Sequence, residues 1–334
     1  MQLKYLGQTD IKVSDIGLGA LHFGVYLNQN ETTNLIEFGY DNGINFIDTS
    51  PIYGQGNSEE LIKNAIKNKR SNFVLATKIG LKKIKNQKGN FGVEILPLTK
   101  KNIFESAESS LKSLGSDYID LFQLHTFDEK TPLEVTVEAL KKLHKEGKIR
   151  AAGFGNYEKI EDISSIIKLS KENSLPLASM QIHYNLIERK AERIFFQKLK
   201  ESKISILTHH SLARGILSGK YKANKSLPKD SRAYSSQRIR EWINPDILSN
   251  VEKLKSLADT INMNLIEFNI AWLKNKKTVS AILIGARNIE QLKDIIEGTK
   301  KKIPENTLLQ AENLINKNNF RNFVENMPLK FQEK

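Results

Sequence analysis

The 334-residue chain contains no cysteine, and this absence excludes several kinds of chemistry at once. Without thiols the chain has no disulfide bonds, no thiolate metal ligands and no cysteine nucleophile. No stretch approaches the roughly 18 apolar residues that a membrane span requires. The first ten residues also lack the apolar run of a secretory signal peptide. We therefore expect a cytoplasmic protein with no membrane partner.

Arginine is also scarce, although the net charge is +13. Only 10 of the 51 basic residues are arginine, and the lysines are spread along the chain in runs such as 141–148 and 274–277. Proteins that read nucleic acids favour arginine, because its planar guanidinium binds in a bidentate way. The charge therefore predicts no nucleic-acid partner. It predicts only a modest positive field, which would attract a phosphorylated cofactor or an anionic substrate.

Short apolar runs rich in β-branched residues alternate with amphipathic stretches eight times along the chain. The predicted strands are residues 16–18, 44–47, 73–77, 118–123, 149–154, 177–182, 204–207 and 279–283. The predicted helices are residues 31–41, 58–67, 99–114, 132–145, 159–171, 190–200, 265–274 and 290–297. Eight such units favour a (β/α)8 TIM barrel over an open doubly wound sheet, and we expect residues 1–334 to form one domain.

Two further segments complete the predicted architecture. Residues 3–5 and 11–13, joined around Gly7, predict an N-terminal β-hairpin that closes the bottom of the barrel. Residues 223–262, after the seventh strand, predict a long loop, and long loops in compact domains commonly serve as lids or ligand clamps.

Four polar side chains interrupt apolar runs where predicted strands end. Asp48 ends the second strand, Tyr53 follows in the next loop, Lys78 ends the third strand and His125 follows the fourth. The reacting groups of such barrels lie at this end of the strands, so we expect the four to lie together.

The chemistry of these four groups fits one reaction. A lysine ammonium lowers the pKa of a neighbouring tyrosine by about 1–3 units from its usual value near 10, and Asp48 can supply the counter-ion of Lys78. His125 can hydrogen-bond a carbonyl oxygen and orient it toward Tyr53. An acid and an orienting group, without a nucleophile or metal set, suit protonation of the oxyanion that hydride attack produces.

Several motifs in order resemble those of the aldo-keto reductases. The matching segments are residues 16–20 (IGLGA), 43–54 (GINFIDTSPIYG), 57–60 (NSEE), 76–78 (ATK), 117–125 (DYIDLFQLH), 147–156 (GKIRAAGFGN), 181–185 (QIHYN), 212–221 (LARGILSGKY) and 284–287 (IGAR). The resemblance implies that Tyr53 is the general acid, that Lys78 and Asp48 tune it, and that His125 orients the carbonyl. It also implies carbonyl reduction, because members that reduce a steroid double bond carry glutamate in place of His125.

The resemblance further implies NADP(H) as the cofactor. It places Asn156 and Gln181 on the nicotinamide carboxamide and Arg287 on the adenosine 2′-phosphate, so NADPH is expected in preference to NADH. The implied cofactor residues are Gly19, Ala20, Asp48, Gly155, Asn156, Gln181, His209, His210, Ser211, Leu212, Ala213, Arg214, Lys220, Arg232, Gly285, Ala286, Arg287 and Gln291.

The chain departs from the family pattern at several of these positions. Gly155 replaces a common serine, His209 replaces the aromatic residue that stacks on the nicotinamide, and His210-Ser211 replaces a serine-proline pair. If His209 stacks there, its protonation would repel oxidised nicotinamide, so NADP⁺ affinity relative to NADPH is expected to fall at mildly acid pH. The spacing around the two histidines supplies no further ligand, so no metal site is expected.

Three functional interpretations differ in class. The first is an NADP(H)-dependent reductase of an aldehyde, ketone or keto sugar, or a dehydrogenase running in reverse. The second is an NADP(H)-binding regulatory subunit with slow turnover, resembling the potassium-channel β subunits. The third, a barrel isomerase or glycosidase, would need paired carboxylates at strand ends, and only Asp48 is clearly placed that way.

Overall fold

A computed structural model of the chain describes residues 1–85, 91–223, 225–229 and 231–316. The strands are β1 Leu3–Tyr5, β2 Lys12–Ser14, β3 Ile16–Gly19, β4 Phe46–Asp48, β5 Val74–Ile79, β6 Leu81–Lys85, β7 Phe91–Ile95, β8 Ile119–Leu124, β9 Ile149–Gly155, β10 Leu177–His183, β11 Ser205–His209 and β12 Val279–Ile284. The helices are α1 Gln29–Asp41, α2 Ser58–Ile66, α3 Lys100–Leu114, α4 Leu133–Lys145, α5 Ile160–Glu172, α6 Lys190–Ile194, α7 Phe196–Glu201, α8 Arg232–Ser235, α9 Gln237–Arg240, α10 Pro245–Asp259, α11 Leu265–Asn275, α12 Ile289–Lys300 and α13 Glu305–Asn316.

Eight parallel strands close into a barrel in the order β3, β4, β5, β8, β9, β10, β11 and β12. The barrel closes because β12 pairs with β3, with Ile282 opposite Ile16. Each of these strands overlaps one of the eight predicted strands, so the predicted (β/α)8 barrel is confirmed. Within the described ranges, no helix is both long and apolar enough to cross a bilayer.

The N-terminal hairpin is also confirmed, because β1 and β2 pair in antiparallel register. Its connection turns at Gly7, where φ is +53° and a Cβ atom would lie 2.6 Å from the carbonyl oxygen of Ala178. Leu6, Ile11 and Val13 are buried against inward-facing barrel residues. Each such side chain contributes about 1.5–3 kcal/mol by leaving water. The hairpin therefore closes one end of the barrel and leaves the carboxyl ends of the strands for a site.

The structure differs from the prediction in three places. A second antiparallel hairpin, β6–β7, follows β5 and was not predicted; its connection, residues 86–90, lies outside the described residues. The helix predicted over 190–200 is divided into α6 and α7 at Phe195. The predicted loop over 223–262 is wrong in part, because it contains α8, α9 and the fifteen-residue α10.

Candidate active site

The four polar residues at the strand ends are brought together on three neighbouring strands. β4 pairs with β5 and β5 pairs with β8, so Asp48 ends one strand, Lys78 lies near the end of the next, and His125 follows the third. Tyr53 begins a 3-10 turn, Tyr53–Gly56, in the loop after β4. The predicted cluster is therefore present at the open end of the barrel.

A buried ion pair lies at the centre of this cluster. The Lys78 ammonium donates to Asp48 Oδ2 at 2.6 Å and to the carbonyl oxygen of Thr49 at 2.7 Å. Asp48 Oδ1 accepts from Gln123 Nε2 at 2.8 Å and from Gln181 Nε2 at 3.1 Å. Because Lys78 is only 1% exposed and Asp48 4%, these partners replace the water that both charges lose. Gln123, which lies opposite Lys78 on β8, was not predicted as a site residue.

The Tyr53 ring contacts both Lys78 and His125. The Lys78 ammonium is 4.8 Å from the centre of the Tyr53 ring, and the His125 ring packs edge-on at 5.9 Å. Burial raises the pKa of Tyr53 above its ordinary value, and Lys78 lowers it only in part. The expected net lowering of the tyrosine pKa is therefore wrong for this state of the protein. Burial also disfavours the Lys78 ammonium, but the charge of Asp48, with hydrogen bonds to Asp48 and Tyr53, outweighs it and raises the pKa of Lys78.

His125 is held as a neutral imidazole. It is 4% exposed, and its Nδ1 lies 3.5 Å from Ser50 Oγ. Burial, together with the charge of Lys78, lowers the pKa of His125 well below its usual value. The Asn156 amide donates to the backbone oxygen of His125 at 2.7 Å, and Asn156 takes a φ of +56°, which asparagine tolerates better than most residues. A neutral imidazole beside Tyr53 can orient a carbonyl oxygen without competing as the acid.

A cavity of about 450 Å³ opens beside Tyr53. Its walls include the predicted cofactor residues Gly19, Asp48, Gln181, His209, His210, Ser211, Leu212, Arg214, Lys220, Arg232, Gly285, Arg287 and Gln291. The predicted cofactor residues Ala20, Ala213 and Ala286 are buried and are not among the residues that line this cavity. Asn156 shares with Gln181 a neighbouring cavity of about 90 Å³. At Gly155, where the family commonly has serine, a Cβ atom would approach the Gln181 carbonyl oxygen to 3.2 Å, which is a tight contact.

One end of this cavity is strongly cationic. Lys220, Arg232 and Arg287 all line it, and Arg287 stacks on the Tyr26 ring at 3.5 Å. Burial and the charges of these three side chains lower the pKa of the adjacent His22 to about 3. Burial, followed by the charges of Arg214 and Arg287, lowers the pKa of Arg232. An anion placed here would relieve this mutual repulsion.

His209 lies on the wall of the same cavity, at the end of β11. Burial and the charges of His183 and Lys78 hold the pKa of His209 well below its usual value. The predicted protonation of His209 at mildly acid pH is therefore wrong. The ratio of NADP⁺ to NADPH dissociation constants is instead expected to stay constant across that range.

A third histidine joins the His209-His210 pair. His183 ends β10 directly opposite His209 in the parallel register, and the two ring centres are 4.1 Å apart. No metal site was expected because residues close to His209 and His210 in the sequence supply no further ligand. The contact with His183 arises from strand pairing, which sequence spacing does not show. The sequence did contain one indication of it: Gln181 and His183 are two residues apart on one strand, so both side chains point to the same face.

The buried histidines make a prediction for the cofactor-free protein. His22 and His125 are buried and neutral in the native state, whereas the unfolded chain takes up protons on histidine below about pH 6.5. Because the unfolded state then binds more protons, the free energy of unfolding decreases as the pH is lowered. The expected decrease is about 1 kcal/mol per histidine between about pH 6.5 and pH 5.5.

Urea denaturation at the two pH values measures this loss, expected to be at least about 2 kcal/mol for the two residues. The variant His125→Asn should lose about 1 kcal/mol less over the same interval. An unfolding free energy that does not change with pH would show that these imidazoles accept protons in the native state.

The chain is similar to known proteins in both sequence and structure. The model of the aldo/keto reductase family matches residues 15–315. The chain is 34% identical to the aldo-keto reductase YhdN of Bacillus subtilis, over 90% of this chain and 89% of that protein. It is 30% identical to a probable voltage-gated potassium channel subunit beta of Arabidopsis thaliana, over 88% and 90%. The structure of a glycerol dehydrogenase from Gluconobacter oxydans superposes with a TM-score of 0.81 at 27% identity, covering 94% of each chain.

Proposed function

The chain belongs to the aldo/keto reductase family of oxidoreductases, and from that premise we propose that it reduces a small aldehyde or ketone with NADPH. The observation that carries the proposal is the cluster at the open end of the barrel. In this cluster Lys78 and His125 both lie against the Tyr53 ring, and Asp48 accepts a hydrogen bond from the Lys78 ammonium.

The proposed chemistry assigns one task to each of these side chains. When bound, the reduced nicotinamide supplies the hydride. Neutral His125 donates a hydrogen bond to the carbonyl oxygen and orients it, and Tyr53 gives its proton to the oxygen that becomes the alcohol. The Lys78 ammonium stabilises the phenolate that remains, and Asp48 keeps Lys78 charged and in place. In the reverse direction the phenolate accepts the proton of the alcohol.

The preference for NADP(H) is proposed from the cationic end of the 450 Å³ cavity. Lys220, Arg232 and Arg287 would hold the 2′-phosphate, which NAD(H) lacks. Crowded cations with lowered pKa values, as at Arg232, fit a group that carries negative charge. Gln181, which lines this cavity, would hold the carboxamide together with Asn156, which shares the neighbouring 90 Å³ cavity with it.

Replacing Arg287 with alanine should narrow the preference for NADPH over NADH by roughly tenfold to a hundredfold. A charge-assisted contact to phosphate is worth about 1.5–3 kcal/mol, and NADH makes no such contact. Fluorescence titration of both reduced cofactors measures the four dissociation constants. The control is Arg193→Ala, because Arg193 lies on α6 and is not among the residues that line this cavity. This variant should leave the ratio of the NADPH and NADH dissociation constants unchanged. Equal dissociation constants in the parent protein would contradict the assignment.

The substrate is proposed to be uncharged. A cavity of about 370 Å³ lies between the β6–β7 hairpin and the loop after β8. Its acidic lining residues are Glu94, Asp128, Glu129, Glu158 and Asp162, against the basic Lys130 and Lys159. Carboxylates there would repel a keto acid but would accept hydrogen bonds from the hydroxyl groups of an aldose or ketose.

An NADPH-oxidation screen tests both parts of the proposal. It covers aldehydes, ketoses, keto sugars and keto acids, together with alcohols and sugars in the presence of NADP⁺. Neutral carbonyl compounds are expected to oxidise NADPH faster than keto acids of the same length. If no carbonyl compound and no alcohol reacts, the chain is not the proposed reductase.

A second function is favoured by the similarity to the probable channel β subunit. A regulatory subunit would bind NADP(H) and turn over slowly. The two are distinguished by multiple-turnover kinetics with the best compound of the screen, since a reductase releases its oxidised cofactor repeatedly. The complete set of Tyr53, Lys78, Asp48 and His125 favours turnover.

A further inference from the structure

Three histidines from two neighbouring strands form a compact cluster. His209 and His210 line the 450 Å³ cavity, and His183 lines the neighbouring 90 Å³ cavity. His183 ends β10, His209 ends β11, and His210 follows it. The ring centres are separated by 4.1 Å between His183 and His209, 4.5 Å between His183 and His210, and 5.0 Å between His209 and His210. One ligand nitrogen from each ring lies within 4.8 Å of the other two.

Two of the three rings leave a nitrogen available to a metal. Burial, with the charges of Arg214 and His183, lowers the pKa of His210 well below its usual value, and His209 is lowered in the same way by burial first. His209 Nε2 and His210 Nδ1 are buried, and neither has a hydrogen-bond partner among the residues that the structure describes.

A carboxylate stands behind the third ring. Glu188 Oε1 lies 3.9 Å from His183 Nδ1, which is beyond hydrogen-bond distance, so in this geometry the carboxylate supplies a nearby negative charge to the ring. Arg214 is the nearest cation, with its guanidinium 3.5 Å from His183 Nδ1. It also donates to Glu188 at 3.1 Å, so a carboxylate partly offsets its charge.

The ligand set decides the kind of ion. Neutral imidazole suits zinc, copper and nickel, whereas magnesium and calcium require oxygen ligands. Two nitrogens bound to one tetrahedral zinc are about 3.4 Å apart, given bond lengths of about 2.0–2.1 Å. The ligand nitrogens, which lie within 4.8 Å of one another, would have to approach by up to about 1.4 Å to reach this spacing. Three nitrogens leave a fourth position open, on the side of the cavity that His209 and His210 line.

We propose that His183, His209 and His210 form a binding site for one divalent transition-metal ion, with Zn²⁺ as the reference ion. A metal held there would occupy the wall where His209 is expected to meet the nicotinamide. Metal and cofactor would then exclude each other, so the site would make the enzyme sensitive to zinc. The metal site itself does not depend on the proposed function, but its competition with the cofactor does.

Calorimetric titration of the full chain with Zn²⁺ alone tests the site directly. Because the chain has no cysteine, no thiol contributes to the background. The parent is expected to bind one zinc ion, and His183→Gln to bind it at least about 100-fold more weakly, since even removing a group that only orients a ligand costs about 10–100-fold. His144→Gln is the matched control, because His144 lies on α4 and should leave zinc binding unchanged.

The test remains decisive if His183→Gln is poorly folded, a property that thermal denaturation reports. His209→Tyr then serves as a second variant, because it removes a ligand from a different strand while keeping a ring in place. Loss of zinc binding in a folded variant supports the site. Absence of zinc binding by the parent, or equal binding by parent and variants, overturns it.

Competition is measured separately, by titrating NADPH fluorescence with and without Zn²⁺. The apparent NADPH dissociation constant of the parent should rise with zinc concentration, and that of His183→Gln should not. Simultaneous binding of zinc and NADPH to the parent would overturn the exclusion. If NADPH does not bind even without zinc, the proposed function fails, while the zinc titration alone still decides the metal site.

Discussion

Tyr53→Phe should lower the turnover number for carbonyl reduction by about 10²–10⁴-fold or more, because it removes the proton that the new alkoxide requires. The ring and its packing against His125 remain, so NADPH affinity should change little. Steady-state kinetics and fluorescence titration of the same preparations measure the two effects. Tyr5→Phe is the control, since Tyr5 is 57% exposed on the hairpin at the opposite end of the barrel.

The direction of the Tyr53 pKa sets a pH dependence that accompanies this loss. Because burial raises that pKa, Tyr53 stays protonated at neutral and mildly alkaline pH. Reduction needs the protonated form and should stay level across that range, whereas alcohol oxidation needs the phenolate and should accelerate as the pH rises. A Tyr53→Phe enzyme that turns over at the parent rate would show that another group supplies the proton.

Lys78→Met should lower the free energy of unfolding by about 3–5 kcal/mol, because it leaves the Asp48 carboxylate buried without an opposite charge. Gln123 and Gln181 would still donate to Asp48, but amides only partly replace an ammonium ion. Urea denaturation measures the change. The matched control is Lys101→Met, whose partner Glu105 is 3.8 Å away on an exposed helix face. That change should cost less than about 1 kcal/mol.

The double variant Asp48→Asn/Lys78→Met separates stability from catalysis. Removing both charges should restore much of the lost stability, because two neutral groups of similar size need no counter-ion. Turnover should remain low, since nothing then stabilises the phenolate of Tyr53. A double variant as unstable as Lys78→Met alone would show that the ion pair is not the source of the loss.

The barrel strands and the site could be predicted because both obey local rules. Strands buried on both faces appear as continuous apolar runs, and polar residues at their carboxyl ends stand out against them. Asp48, Lys78 and His125 were identifiable for that reason. The hairpin β6–β7 was not, because Lys82 and Lys83 give an edge strand no apolar run.

Other differences arise from packing that sequence periodicity does not record. The helix predicted over 190–200 divides at Phe195, where φ is −114°, and both Phe195 and Phe196 are buried at this break. The start of α10 was marked by Asn244, whose side chain caps the helix, and by Pro245 in its first turn. His183 meets His209 only through strand register, and the depth of burial, which sets the histidine pKa values, follows from the complete barrel.

The pairing of β12 with β3 has a consequence for synthesis of the chain. Ile16 on β3 pairs with Ile282 on β12. The edge of β3 that faces β12 therefore has no partner strand until almost the whole barrel has been translated. At about 5–20 residues per second this interval lasts roughly 13–53 s, during which an apolar strand edge is open to other nascent chains. Contacts so distant in sequence also slow the final closure. The chain should therefore depend on chaperones that shield such an edge during translation, more than a protein of equal size built from local contacts would.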